Sequence, residues 1–161
     1  MKPRYTLFAL ITFFGIIIDQ ITKIAVDRTM QISDSITIVE HFFHLTYVRN
    51  RGAAFSFLSD ASWRLPFFIS ITIIAALVIL VAFQKMRDDQ RLAHTSLAMI
   101  FSGAVGNLID RIRLGEVIDF LDVHWYQHHW PAFNVADSLI CVGVFLLALD
   151  MMLEEKRLKR G

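Results

Sequence analysis

Leu65 to Phe83 runs for 19 residues without a charged side chain. A helix of about 20 apolar residues covers the hydrocarbon thickness of a bilayer, so this stretch alone turns the chain towards lipid. Three more stretches obey the same rule. Tyr5 to Ile18 is uncharged and its apolar pattern resumes after Asp19 as far as Val26; Leu92 to Ile109 lacks Asp, Glu, Lys and Arg; Phe133 to Leu149 is apolar apart from Asn134, Asp137 and Ser138. With 55% hydrophobic residues and a mean hydropathy of +0.51, the 161-residue chain exceeds the roughly 45–50% apolar content of a soluble domain. Helices are the required spanning form, because hydrocarbon offers no partner to open backbone. The expected fold is membrane α-helical. It has four transmembrane helices, over about 5–26, 65–84, 92–111 and 133–151, in a single domain of residues 1–161 with a small extracytoplasmic β-rich cradle.

Lys2 and Arg4 ahead of an apolar run resemble the start of a cleavable leader. No Ala-x-Ala-like site closes the run and further spans follow, so it reads as a retained first span. Orientation follows from basic residues between the spans. Lys2, Arg4, Lys85, Arg87, Arg91, Lys156, Arg157, Lys159 and Arg160 fall on one side; Arg28, Arg49, Arg51, Arg64, Arg111 and Arg113 are spread over longer connections on the other. This bias places both termini in the cytoplasm and the 27–64 and 112–132 connections outside. Ser35 to Val39 and His44 to Val48 have the β-branched and aromatic content of short strands, and Gly52-Ala-Ala-Phe-Ser-Phe is a candidate continuation of the same sheet. Trp63, Trp125 and Trp130 flank spans, as interfacial aromatics do.

Several function classes lose their anchor here. A net charge of +1 gives no support to nucleic-acid binding, and the only cysteine, Cys141, allows neither a disulfide framework nor a thiolate metal cluster. His124, His128 and His129 cluster on one connection without a His-Glu-x-x-His ligand set, so they read as interfacial polar residues; no Gly-x-Ser-x-Gly elbow supports a serine hydrolase. No metal or cofactor is called for.

What remains is polar chemistry inside apolar segments, where an ionised group costs several kcal/mol unless it is paired or functional. Asn134 and Asp137 are spaced for a helix N-terminus, with Asn134 as cap and Asp137 complementing the dipole. Asn107 and Asp110, three apart, share a helix face, with Arg111 next and Gly115 as helix end. Val117-Ile-Asp119-Phe120 returns as an extended piece. Asp19 and Lys23 are four apart in the order that favours a salt bridge, facing the bundle. Asn50-Arg51-Gly52-Ala53-Ala54 reads as a turn whose small residues leave room for something passing by. An ion-pair cluster closing the bundle remains an alternative for Asp110 and Arg111, and a structural pair for Asp19 and Lys23. Paired Asp groups in a poorly solvated place are an arrangement for acid/base activation of water.

Asp19-Gln20-x-x-Lys23, Asn50-x-Gly52-Ala53-Ala54-Phe55, Gly106-Asn107-x-x-Asp110-Arg111, Val117-x-Asp119-Phe120 and Phe133-Asn134-x-Ala136-Asp137 occur in that order. This set resembles the motifs of bacterial lipoprotein signal peptidases (signal peptidase II) over nearly the whole chain. Arg51 stands where that family usually has a small or polar residue, and Ser102 where a Gly-Gly pair is common.

The resemblance implies a multi-pass enzyme of the bacterial inner membrane that cuts diacylglyceryl-modified prolipoproteins just before the lipidated cysteine. It places a catalytic dyad on Asp119 and Asp137, and supporting roles on Asp19, Lys23, Asn50, Gly52, Asn107, Asp110, Arg111, Asn134 and Ala136. It calls for no cofactor, and the expected partners are prolipoprotein signal peptides and membrane lipid, with the chain a monomer. Two close carboxylates share one proton and titrate as a unit; spacing alone assigns neither the proton nor Asp110's exclusion as a rival partner for Asp137. A proton-coupled transporter would also keep Asp and Lys inside helices, but its carboxylates belong at mid-span and its halves should repeat. A structural membrane subunit would tolerate Asp119→Asn.

Overall fold

A computed structural model describes residues 2–52 and 61–159. Four helices, α1 (Pro3–Thr29), α2 (Arg64–Lys85), α3 (Arg91–Leu114) and α4 (Val135–Leu158), are each long and apolar enough to cross a membrane. Pro3 stands in the first turn of α1, where its missing N–H and fixed φ suit a helix start. Gly115 ends α3 at φ 74°, donating its N–H to the Arg111 carbonyl at 3.0 Å; this left-handed turn is one glycine adopts without strain. The helices overrun the expected spans at most ends, since a helix needs no lipid to continue through the interface. At one end the structure corrects the expectation: α4 begins at Val135, not at 133. Phe133 exchanges backbone hydrogen bonds with Leu121 at 2.8 and 3.0 Å, and so belongs to the sheet rather than to the helix.

The sheet is antiparallel, in the order β1 (Ser35–Val39), β2 (Phe43–Asn50), β3 (Val117–Trp125) and β4 (His128–His129). The first two strands lie where the β-branched content puts them. The third extends well past Phe120, and the two-residue fourth has no compositional signal. The expected continuation from Gly52 through Phe57 falls, after Gly52, outside the described residues. Register sets Val48 opposite Asp119 and Asn50 opposite Val117, with a bulge between Leu45 and Val48. The end of β2 is thereby carried alongside Asp119.

Helix α3 packs against each of the other three. One apolar cluster, Phe8, Ile79, Phe83, Leu97 and Ala98, fills the bundle near the α1 start, with Phe8 and Phe83 rings 4.5 Å apart. A second, Val26, Tyr47, Ile118 and Phe120, joins the sheet to the end of α1. Outward faces carry exposed Phe13, Phe14, Ile74, Val78 and Phe145, as lipid-facing surfaces do. Ion pairs Lys2–Asp88 at 3.0 Å and Arg87–Glu154 at 3.1 Å gather the starts and ends of the chain at the bundle end opposite the sheet.

Small residues set how closely the helices approach, as in membrane bundles generally. A Cβ on Gly103 would lie 2.2 Å from the Ala136 carbonyl oxygen, and one on Gly106 would lie 2.5 Å from Asp19 Oδ2. Contact of α3 with α4 and α1 therefore depends on the absence of those atoms. Ser102, one of the two departures from the motif set, is buried, donates to the Thr12 carbonyl at 3.2 Å and sits against Gly15.

Candidate active site

The site forms where β3 meets the start of α4. Phe120 and Leu121 N–H groups both donate to the Phe133 carbonyl, at 2.9 and 2.8 Å. This clasp brings Asp119 on the strand to Asn134 and Asp137 on the helix. Asn134 and Asp137 cap each other: Asp137 N–H donates to Asn134 Oδ1 at 2.9 Å, and Asn134 N–H to Asp137 Oδ2 at 3.2 Å. Such a reciprocal box satisfies two N–H groups that a helix start otherwise leaves unpaired. The capping reading of Asp137 is thus realised, and the same side chain keeps its other oxygen for the site.

Amides link the two carboxylates. Asn134 Nδ2 donates to Asp119 Oδ1 at 2.7 Å and Asn107 Nδ2 to Asp137 Oδ1 at 2.8 Å, while Asn134 Nδ2 also lies 3.2 Å from Asn107 Oδ1. From β2, Asn50 Nδ2 donates to Asp119 Oδ2 at 2.9 Å. Among the described residues neither Asp119 nor Asp137 is in a salt bridge. Both line one cavity of about 770 Å³, together with Asn50, Gly52, Asn107 and Arg111. Its remaining walls, including Phe68, Ile71 and Ala75 of α2 and Ile140 of α4, are mostly apolar. Asp119 is 2% exposed. Burial, and then the neighbouring Asp137 charge, push its carboxyl up from 3.8 to about 7, against the opposing pull of the Asn50 and Asn134 hydrogen bonds and of Lys23.

Beneath this layer lies a buried ion cluster. Lys23 Nζ is 2.9 Å from Asp19 Oδ2, 2.9 Å from Asp110 Oδ2 and 2.9 Å from Asn107 Oδ1. Asp19 Oδ1 accepts the Ala136 N–H at 2.9 Å, and Asp110 Oδ2 accepts the Ile118 N–H at 3.3 Å. Each aspartate therefore holds the backbone of an element that carries a site carboxylate. Asp110 is engaged by Lys23 and does not border the cavity. Arg111 lies elsewhere: its guanidinium is 4.9 Å over the Phe68 ring and donates to the Gly52 carbonyl at 3.3 Å, at the cavity edge.

Two contributors carry a weak sequence signal or none. Gln20 appears within the first motif, and its Nε2 reaches Asp19 Oδ2 at 3.1 Å, Asp110 Oδ1 at 3.2 Å and the Gly106 carbonyl at 3.2 Å. Glu116, unmarked in the sequence, pairs with Arg51 at 3.2 Å, which is how the chain accommodates Arg51 at that turn. Ala53 and Ala54 lie outside the described residues. His124 and His129 stack at 4.5 Å beside His44, away from the cavity, and His129 faces Asp122 at 3.0 Å. Among the described residues no His, Cys, Asp or Glu group converges as a metal site.

The profile of the family described as Signal peptidase (SPase) II matches residues 11–153. A lipoprotein signal peptidase of Geobacter metallireducens is 63% identical over 157 residues, covering 98% of this chain and 97% of its own. That of Geobacter sulfurreducens is 61% identical, covering 98% of each. A bacterial membrane enzyme solved at 2.3 Å resolution superposes with a TM-score of 0.83 at 35% identity, over 93% of this chain and 90% of its own. With the profile spanning most of the chain and relatives this similar along their whole length, the chain belongs to the signal peptidase II family.

Proposed function

We propose that the chain is an intramembrane aspartyl endopeptidase that removes the signal peptide from diacylglyceryl-modified prolipoproteins, cutting before the lipidated cysteine. One observation carries the reading: Asp119 and Asp137, bridged by Asn134 and Asn107, line the same largely apolar cavity. The relatives named as lipoprotein signal peptidases support the substrate class.

Asp119, whose carboxyl is pushed up to about 7, is assigned the dyad's proton as the acid, and Asp137 the role of base. In the first step Asp137 takes a proton from water as its oxygen attacks the scissile carbonyl carbon. Asp119 gives its proton to the carbonyl oxygen. Collapse of the resulting gem-diol breaks the C–N bond: the proton on Asp137 passes to the leaving amine, and one hydroxyl proton returns to Asp119 as the carbonyl reforms. Arg111 and the Asn107 amide, both bordering the cavity, supply donors for the charge developing on the carbonyl oxygen, each worth roughly 3–4 kcal/mol when well placed. The apolar walls from α2 and α4 receive the acyl chains and the hydrophobic part of the signal peptide.

The basic residues gathered at the terminal end of the bundle support an inner-membrane orientation with both termini cytoplasmic and the site near the outer face. The chain carries its dyad within one protomer, which supports a monomer. The test is cleavage of a synthetic diacylglyceryl-modified precursor, with chelator present, beside the same precursor carrying a free cysteine. Cleavage of the lipidated form alone is expected; equal cleavage of both would remove the lipid requirement.

A further inference from the structure

Asn50 serves Asp119 only with its amide turned one way. Its Oδ1 accepts the Gly52 N–H at 2.9 Å, which leaves Nδ2 to donate to Asp119 Oδ2 at 2.9 Å. The Gly52 N–H shares a rigid peptide plane with the Arg51 carbonyl. That carbonyl is held from outside the turn. Arg64 NH1 donates to it at 3.0 Å and to the Gly115 carbonyl at 3.0 Å. One guanidinium nitrogen thus ties the end of β2 to the left-handed turn from which β3 departs. Arg64 is the first residue of α2, and its own N–H donates to Ala61 at 3.1 Å, so the side chain reaches out from a fixed base. The two N–H groups of that nitrogen lie fixed in the guanidinium plane, one for each carbonyl, a geometry that the shorter, rotating ammonium of a lysine does not hold.

We propose that Arg64 is a positioning residue for the Asp119–Asp137 dyad, setting the Asn50 amide through the 51–52 peptide plane. The inference rests on the peptidase reading above and adds to it a residue that neither lines the cavity nor contacts either carboxylate. Asp119 is faced by Asp137 from α4, Asn134 just before it, Lys23 from α1, Arg111 from α3, and Asn50 from β2. Of these neighbours, Asn50 is the one that bonds Asp119 and is set by the 51–52 peptide plane; Arg111 meets the same turn only at the Gly52 carbonyl. The Asn50 bond favours the ionised form of Asp119, so loosening it lets Asp119 keep its proton to higher pH.

The experiment measures kcat and KM of the full chain on a diacylglyceryl-modified precursor across pH, for Arg64→Gln, Arg64→Lys, Asn50→Ala and the Asn50→Ala/Arg64→Gln double variant. Arg64→Gln is expected to lower kcat about 10- to 100-fold with KM little changed. Its alkaline limb should move to higher pH, as in Asn50→Ala, and the double variant should be no slower than Asn50→Ala alone. Arg64→Lys, able to hold one carbonyl, should show a smaller loss and a smaller shift. An unmoved limb, or losses that multiply in the double variant, would overturn the proposal. If Arg64→Gln does not fold, Arg64→Lys decides by the same limb. Two controls separate this from the parent reading: a wild type inactive on the lipidated precursor, or an active Asp119→Asn, defeats the peptidase reading and Arg64's role with it. With both controls as expected, an unmoved limb defeats Arg64's role alone.

Discussion

Lys23 Nζ donates to Asn107 Oδ1 at 2.9 Å, and this bond decides how the site above it is arranged. An ammonium has donors only, so the Asn107 oxygen must face it and the Asn107 nitrogen must face Asp137, 2.8 Å away. The same oxygen lies 3.2 Å from Asn134 Nδ2, which also donates to Asp119 Oδ1 and to the Ile118 carbonyl. One buried cation thereby orients the Asn107 amide, in the matching sense to the one that the Asp137 N–H sets independently for Asn134.

Lys23→Met keeps the length of the side chain but leaves Asp19 and Asp110 buried without their cation. Breaking one partner of such a cluster costs ~3–5 kcal/mol, and thermal unfolding in detergent should show a large fall in melting temperature. Adding Asp19→Asn and Asp110→Asn removes the stranded charges and should restore most of that stability. Cleavage should stay low in the triple variant, because nothing then fixes the Asn107 amide. A triple variant as active as wild type would show that Lys23 does no more than neutralise charge.

The spans were legible because an uncharged run of 18 or 19 residues has few alternatives, and the capping pair Asn134–Asp137 because its spacing is local. Strands β1 and β2 follow from β-branched residues in the same way. The start of α4 was not legible, since Phe133 is apolar enough for a helix and only the Leu121 pairing, far off in sequence, takes it into the sheet. The choice between Asp110 and Asp119 is of the same kind. Both are acidic and both follow α3's apolar core, but Lys23, 87 residues from Asp110, engages one of them. Gln20 and Arg64 act through bonds that span long stretches of chain and leave no local pattern.

Gly103→Ala should be more damaging than an ordinary surface change. The added Cβ meets the Ala136 carbonyl oxygen at 2.2 Å, a backbone atom that cannot swing aside, so α3 and α4 must part. Overpacking of this sort costs typically ~1–3 kcal/mol. The shift also falls one residue from Asp137, so cleavage should drop by more than the stability loss explains. A detergent melting scan beside a cleavage assay checks both; a variant with wild-type melting and turnover would contradict the close approach.

Cleavage should fall as pH rises through about 7, where Asp119 gives up its proton and the dyad loses its acid. The stability linkage has a definite sign. Asp119 binds its proton more tightly folded than unfolded, so this group's contribution is fully present below 3.8 and is lost as pH rises to about 7. A pH series of kcat, with melting scans in matched buffers, reads both. A rate still climbing well above pH 7 would place the acid elsewhere.

The most direct measurement compares Asp119→Asn and Asp137→Asn with wild type on a diacylglyceryl-modified precursor in single-turnover conditions, each variant first matched to wild type for folding. Both should fall below about a thousandth of the wild-type rate, since neither can serve alone as acid and base. Near-normal turnover by either folded variant would contradict the account.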